Sequence, residues 1–170
     1  MVTLLGLISL LLGIILIIFY DSTMSEPLPK WTYIMFAFTL FLYQTFDAID
    51  GKHARNTNRS SPVGQLMDHG CDAFSNSFMV IMIAQAHLFG GSINTIIIQS
   101  LVQLTFYIVQ WQEHNTGLLL THIHNLGVTE FQFIGMGIIL IPVFLGNSFS
   151  QTKIISNVSI SELLVYCNSI

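Results

Sequence analysis

The length of its uncharged runs most constrains what this chain can fold into. Residues 2–20 (VTLLGLISLLLGIILIIFY) are 19 consecutive residues without a charged side chain. A helix of about 20 apolar residues crosses a hydrocarbon core of about 30 Å, and in lipid every backbone polar group must be satisfied within the segment itself. A second run, WTYIMFAFTLFLYQTF (31–46), opens with Trp31 and Tyr33 as an expected interfacial belt. Between the two, DSTMSEPLPK (21–30) holds two prolines and reads as a loop. Ser60-Ser61-Pro62 offers a cap followed by proline in a first helical turn, so a third helix starts there and runs to Leu88. Its first turns, with Asp68 and Asp72, fall at the interface, because a helix of that length exceeds the core thickness. Gly90-Gly91-Ser92 is a turn, 93–111 a fourth span and 127–145 a fifth, while 154–170 begin a sixth that Glu162 and Asn168 weaken. The expected fold is all-α, a polytopic transmembrane helix bundle of five to six spans. Residues 1–145 form the transmembrane domain and 146–170 a loop with the start of a further span. A signal peptide is the weaker reading of 2–20, since no basic segment precedes it and no small-x-small cleavage site comes before Asp21.

The few charges are not spread evenly. The chain has five basic and nine acidic residues in 170, is 52% hydrophobic and has a net charge of −4. That balance gives no basic face and excludes nucleic acid as a partner. Asp47, Asp50, Lys52, Arg55, Arg59, Asp68 and Asp72 all fall within DAIDGKHARNTNRSSPVGQLMDHGCD (47–72). Lys52, Arg55 and Arg59 make the cationic loop, which the positive-inside rule places in the cytosol. Alternation of the spans then sends 21–30 and 89–92 to the opposite side and returns 112–126 to the side of the aspartates. Cys71 and Cys167 are too few for a disulfide framework and read as free thiols.

Four aspartates near a membrane need an explanation, because an ionised side chain in the bilayer costs about 2.5 to 3.5 kcal/mol on insertion scales, and clustered carboxylates also repel one another. Asp47 and Asp50 are spaced i,i+3, and Asp68 and Asp72 i,i+4, so each pair lies on one helix face. Two helices thus present two carboxylates each to one place, an oxygen-only site suited to Mg²⁺ or Mn²⁺, and pairs of such ions clamp phosphates for in-line displacement. Gly51 and Gly64 lie one turn from Asp47 and Asp68 and remove bulk where a phosphate or base would approach. Arg55, a turn beyond Gly51, offers a forked phosphate contact. Against this stands the bland alternative of ordinary solvated aspartates at two amphipathic helix ends.

The full spacing, D-x2-D-G-x2-A-R-x8-G-x3-D-x3-D, is met by Asp47, Asp50, Gly51, Ala54, Arg55, Gly64, Asp68 and Asp72. It resembles the signature of the CDP-alcohol phosphotransferases. The wider run DGKHARNTNRSSPVGQLMDHGCD, with WQEHNTGLLL at 111–120, is similar to the eukaryotic choline and ethanolamine phosphotransferases, and the resemblance covers essentially residues 1–145. It implies transfer of phosphoethanolamine or phosphocholine from CDP-ethanolamine or CDP-choline to diacylglycerol, with release of CMP, by an integral membrane enzyme of the endoplasmic reticulum or Golgi whose active site faces the cytosol. It further implies two Mg²⁺ or Mn²⁺ ions on Asp47, Asp50, Asp68 and Asp72, and a CDP pocket lined by Gly51, Ala54, Arg55 and Gly64. The general base is His69 or Asp72: imidazole is the side chain most often used for proton transfer at neutral pH, and the aspartate serves where no metal holds it ionised.

Two departures accompany the resemblance. Relatives commonly carry Glu at the position of Gln65, one turn before His69, and an amide orients an imidazole without raising its basicity as a carboxylate does. Relatives also have about ten spans, so the chain is expected to be a fragment or short isoform, lacking spans that complete the lipid chamber and a homodimer contact. Two other classes stand beside the enzyme: a non-catalytic truncated isoform that associates with a full-length homologue, and a transporter or channel, against which Gly51 and Arg55 at phosphotransferase spacing argue.

Elsewhere the chemistry is thinner. His122 and His124 are spaced i,i+2, which directs them apart on a helix, and they read as polar loop residues. Glu113 and Glu130 flank that loop with Thr116 and Thr121 and face the aspartates, with contact to a cationic headgroup and plain solvation equally open. Tyr107 and Trp111 read as interfacial anchors and His53 and His87 as surface and packing residues. Asn157-Val158-Ser159 has the form of a glycosylation acceptor.

Overall fold

The computed structural model of the chain describes residues 2–57, 61–117, 128–146, 153–155 and 158–159. It contains five helices: α1 (Val2–Asp21), α2 (Lys30–Asn56), α3 (Pro62–Ala86), α4 (Ile93–Thr116) and α5 (Val128–Leu145). Of these, α1, α2 and α4 are long and apolar enough to cross a membrane, and α5 is a shorter apolar helix over Glu130–Leu145. The 25-residue α3 has the length but begins in polar turns. The helical membrane bundle expected from the uncharged runs is what the chain forms.

Two expectations need correction. A sixth helix does not start at residue 154: β1 (Lys153–Ile155) and β2 (Val158–Ser159) pair antiparallel, with Ile155 opposite Val158. Consecutive β-branched residues favour that extended backbone. The rest of 160–170, including Glu162, Cys167 and Asn168, lies outside the described residues, as do Asn157, Arg59 and the loop with Thr121, His122 and His124. Second, Lys52 and Arg55 do not sit in a loop, because α2 runs unbroken to Asn56. There the two cations complement the negative end of the helix dipole.

The bundle is built around α2 and α3. Helix α1 packs on both, α5 on α2 and α3, and α4 on α3. On α1 the buried residues are Thr3, Gly6, Leu10, Gly13 and Ile17, a three-to-four spacing that makes one stripe. The other face, with Leu5, Ile8, Leu12, Ile15 and Phe19, is exposed, which is the side a bilayer would cover. In lipid, burying an apolar side chain gives little drive, so association rests on close packing and interhelical hydrogen bonds. The glycines supply the first: a Cβ on Gly6 would lie 3.0 Å from Tyr43 Cα, and one on Gly13 would collide with the Met82 methyl. Glutamines supply the second. Gln99 Nε2 donates to Ser77 Oγ (2.9 Å) and Gln103 Nε2 to Ala73 O (2.9 Å), tying α4 to α3.

Tyr33 departs from the expected belt. It shares a stripe with Phe36, Leu40 and Tyr43, is fully buried, and its hydroxyl accepts the Leu28 N–H at 2.9 Å. Trp31 does remain exposed and meets Tyr20 edge-on, with ring centroids 6.2 Å apart. Tyr107 and Trp111 are likewise exposed, as anchors should be. His87 is buried, with Nε2 3.1 Å from Ile138 O, a packing role.

At one end of the bundle the 21–30 and 89–92 connections meet, as alternation predicts. Asp21 accepts the N–H groups of Thr23, Ser25 and Glu26 at 3.0, 2.7 and 2.7 Å. Gly90 N donates to Met24 O (3.0 Å) and Gln85 Nε2 to Glu26 O (2.9 Å). The start of α1, the end of α2, the start of α3 and the end of α4 are left together at the other end.

Candidate active site

That other end holds a cavity of about 820 Å³ lined by six of the eight signature residues, while Asp47 and Asp72 lie outside its lining. Asp50, Gly51, Ala54 and Arg55 come from the last turns of α2, and Gly64, Asp68 and His69 from the first turns of α3. Thr3 and Leu4 of α1 close one side. Helix α3 starts where the sequence places it: Ser61 Oγ accepts the Gly64 N–H at 3.0 Å, with Pro62 in the first turn. This cap fixes the phase of the helix, and so the face on which Gly64 and Asp68 appear. A Cβ on Gly51 would meet only the Arg55 guanidinium, 3.6 Å away, so the wall there is open. A second, apolar groove of about 360 Å³, lined by Phe41, Ala48, Ile49 and Phe133 among others, contains none of the signature residues.

The four aspartates are not equivalent. Asp50 accepts from both the Thr3 N–H (3.3 Å) and the Thr3 hydroxyl (2.9 Å). Asp72 accepts the Tyr43 hydroxyl at 2.8 Å. Asp47 lies near Asp68 and Asp72, where the carboxyls repel one another, and its Oδ1 is buried with no hydrogen-bond partner among the described residues. A buried, orphaned carboxylate oxygen beside two other carboxyls is the environment a cation relieves. The donor set is all oxygen and fits a hard divalent ion. Among the described residues, however, no three His, Cys, Asp or Glu side chains converge as a finished ligand shell. The two observations agree if the carboxyls are neighbours across the α2–α3 interface without pointing at one centre, two of them being turned to Thr3 and Tyr43.

His69 is half-buried at the cavity wall. Its Nε2 lies 3.7 Å from Glu113 Oε2, brought in by the end of α4, and Gln65 Nε2 donates to Glu113 Oε1 at 3.0 Å. The expectation that Glu113 faces the aspartates is met, while Glu130 lies exposed in the first turn of α5. Cys71 is buried, free and in the cavity wall. Sequence reasoning missed Thr3 and Tyr43. Each lies far in sequence from the aspartate it holds, 47 residues for Thr3 and Asp50 and 29 for Tyr43 and Asp72, and its only signal is a hydroxyl on a buried helix stripe.

The fold is a helical membrane bundle that brings aspartates, glycines and an arginine of the signature to one cavity. Comparison with known proteins supplies the class. The family model for CDP-alcohol phosphatidyltransferase matches residues 1–158, and the chain belongs to that family. It is 40% identical over 149 residues to cholinephosphotransferase 1 of Mus musculus, covering 87% of this chain and 36% of that protein. It is 34% identical over 144 residues to choline/ethanolaminephosphotransferase 1 of Saccharomyces cerevisiae, covering 85% of this chain and 35% of the relative. An uncharacterized class-I family protein of Dictyostelium discoideum is 37% identical over 155 residues, 90% of this chain and 38% of its own length. The chain therefore spans somewhat over a third of the length of these curated relatives.

Proposed function

We propose that this chain carries the CDP-alcohol site of an aminoalcohol phosphotransferase, which moves phosphocholine or phosphoethanolamine from its CDP conjugate to diacylglycerol. The observation that supports this best is the cavity that gathers six of the eight signature residues, Asp50, Gly51, Ala54, Arg55, Gly64 and Asp68, with His69 beside them. In the reaction the acceptor hydroxyl oxygen bonds to the phosphorus bearing the alcohol, the bridging P–O bond breaks, and CMP leaves with the bond's electron pair. Arg55 and the open wall at Gly51, with Gly64 across the cavity, bind the diphosphate, the guanidinium making a forked contact. Asp47, Asp50, Asp68 and Asp72 would hold Mg²⁺ or Mn²⁺, which when bound neutralises the diphosphate and the departing CMP. In this reading His69 takes the acceptor proton, supported by its position in the cavity wall. Asp72 is less suited to that role, because its Oδ1 is engaged by Tyr43. The membrane-crossing helices put the site at an interface, where a lipid acceptor arrives from the side and a nucleotide from water. The cations Lys52 and Arg55 favour the cytosolic face, of the endoplasmic reticulum or Golgi.

CMP release from CDP-choline and CDP-ethanolamine, measured with diacylglycerol and Mg²⁺, tests this function. We expect release that chelation abolishes and Asp47→Asn lowers. Release that persists undiminished in Asp47→Asn and in chelator would overturn the proposal.

A further inference from the structure

His69 shares the cavity wall with Asp50 and Asp68, and something must set which of its nitrogens is free. Gln65, one turn earlier on α3, does not hydrogen-bond it. Its amide donates instead to Glu113 Oε1 at 3.0 Å. A carboxylate only accepts, so this contact fixes the orientation of the Glu113 head group. The second oxygen, Oε2, is buried without a hydrogen-bond partner among the described residues and stands 3.7 Å from His69 Nε2. That separation is an ion-pair distance, and a shift of under 1 Å makes it a hydrogen bond of ordinary length, about 2.9 Å. A buried carboxylate oxygen left unsatisfied needs an explanation, and the imidazole N–H is the donor in front of it.

We infer that Glu113 is the positioning residue for His69, aimed by Gln65 across the α3–α4 interface. This rests on the function proposed above, in which His69 takes the acceptor proton. With the ring N–H held on Nε2 toward Glu113, the lone pair is on Nδ1. The acceptor O–H proton then passes to Nδ1, and the hydroxyl oxygen forms the new P–O bond as CMP leaves. Glu113 touches no reacting atom. Its contribution is to hold one tautomer and one ring orientation, as a carboxylate does for the imidazole of other catalytic histidines. Gln65 is then the residue that keeps Oε2 of Glu113 from swinging away, so the carboxylate next to the ring arrives from α4 rather than from α3.

Two measurements on the full chain in membranes or detergent test this. The first reads the contact without turnover. In protein labelled with ¹⁵N-histidine, a downfield, slowly exchanging imidazole N–H resonance is expected, absent in both His69→Asn and Glu113→Gln. Its absence from the native chain, or its survival in Glu113→Gln, would overturn the inference. The second reads CMP release. Glu113→Gln should lower kcat roughly 10- to 100-fold with KM for the CDP-alcohol little changed, and should add nothing further in a His69→Asn background. Gln65→Glu combined with Glu113→Gln, which moves the carboxylate to the other side of the same contact, should recover part of the loss. An active native chain with equal losses from Glu113→Gln in both backgrounds would refute the positioning role. Absence of CMP release from the native chain would instead sink the proposed function, while the resonance still decides the contact.

Discussion

At the scale of residues, the site divides into groups held by protein partners and groups left for a ligand. Asp50 and Asp72 are tethered by hydroxyls from α1 and α2, whereas one buried oxygen of Asp47 has no hydrogen-bond partner among the described residues. A hydrogen bond to a charged group contributes about 1.5 to 3 kcal/mol. Tyr43→Phe should therefore destabilise the chain by about 1 to 3 kcal/mol in detergent unfolding and lower CMP release as Asp72 loses its fixed orientation. Unchanged unfolding and turnover would mean that the Tyr43 contact does not matter. The aspartates, glycines and Arg55 were legible in the sequence because helical spacing alone puts them on common faces. Thr3, Tyr43 and the aim of Glu113 were not, since each contact joins residues 29 to 48 positions apart and depends on how helices dock.

At the scale of elements, two local devices set the geometry. Ser61 caps α3 and fixes its phase, so Ser61→Ala should cost about 1 kcal/mol of stability, read from the unfolding midpoint, and should raise KM as Gly64 and Asp68 lose their register. The close approach of α1 to α2 and α3 depends on Gly6 and Gly13. Gly13→Leu should cost about 1 to 3 kcal/mol through overpacking against Met82, and should loosen the Thr3 grip on Asp50 at the far end of the same helix. A Gly13→Leu chain with unaltered unfolding would show that α1 is not packed as described. The helix boundaries near caps and turns, Ser61-Pro62 and Gly90-Gly91, were legible in advance because those residues have local reasons to stop or start a helix. The polar end of α2 was harder: a run of charged residues after a span reads as a loop, but Ala48, Ala54 and the cations near a helix C-terminus favour continuation to Asn56. The strands Lys153–Ile155 and Val158–Ser159 were hidden because runs this short do not separate helix from extended chain by periodicity.

For the molecule as a whole, α1 to α5 alternate so that one end gathers the loops after α1 and α3 and the other gathers the cavity. Single cysteines at Ser22 and Thr57, introduced with Cys71 and Cys167 replaced by alanine, should react with an impermeant maleimide from opposite faces of sealed membranes. Labelling of both from one face would break the topology. The exposed apolar faces of α1 and α4 fit a bilayer, and the proposed function sets the cavity to a reaction between a water-soluble nucleotide and a membrane lipid. The most direct test of that account is CMP release by membranes containing the chain, with diacylglycerol, Mg²⁺ and either CDP-choline or CDP-ethanolamine, set beside Asp68→Asn. The prediction is metal-dependent release that falls about 100-fold or more in the variant. Equal release from both, or none from folded native chain, would contradict it.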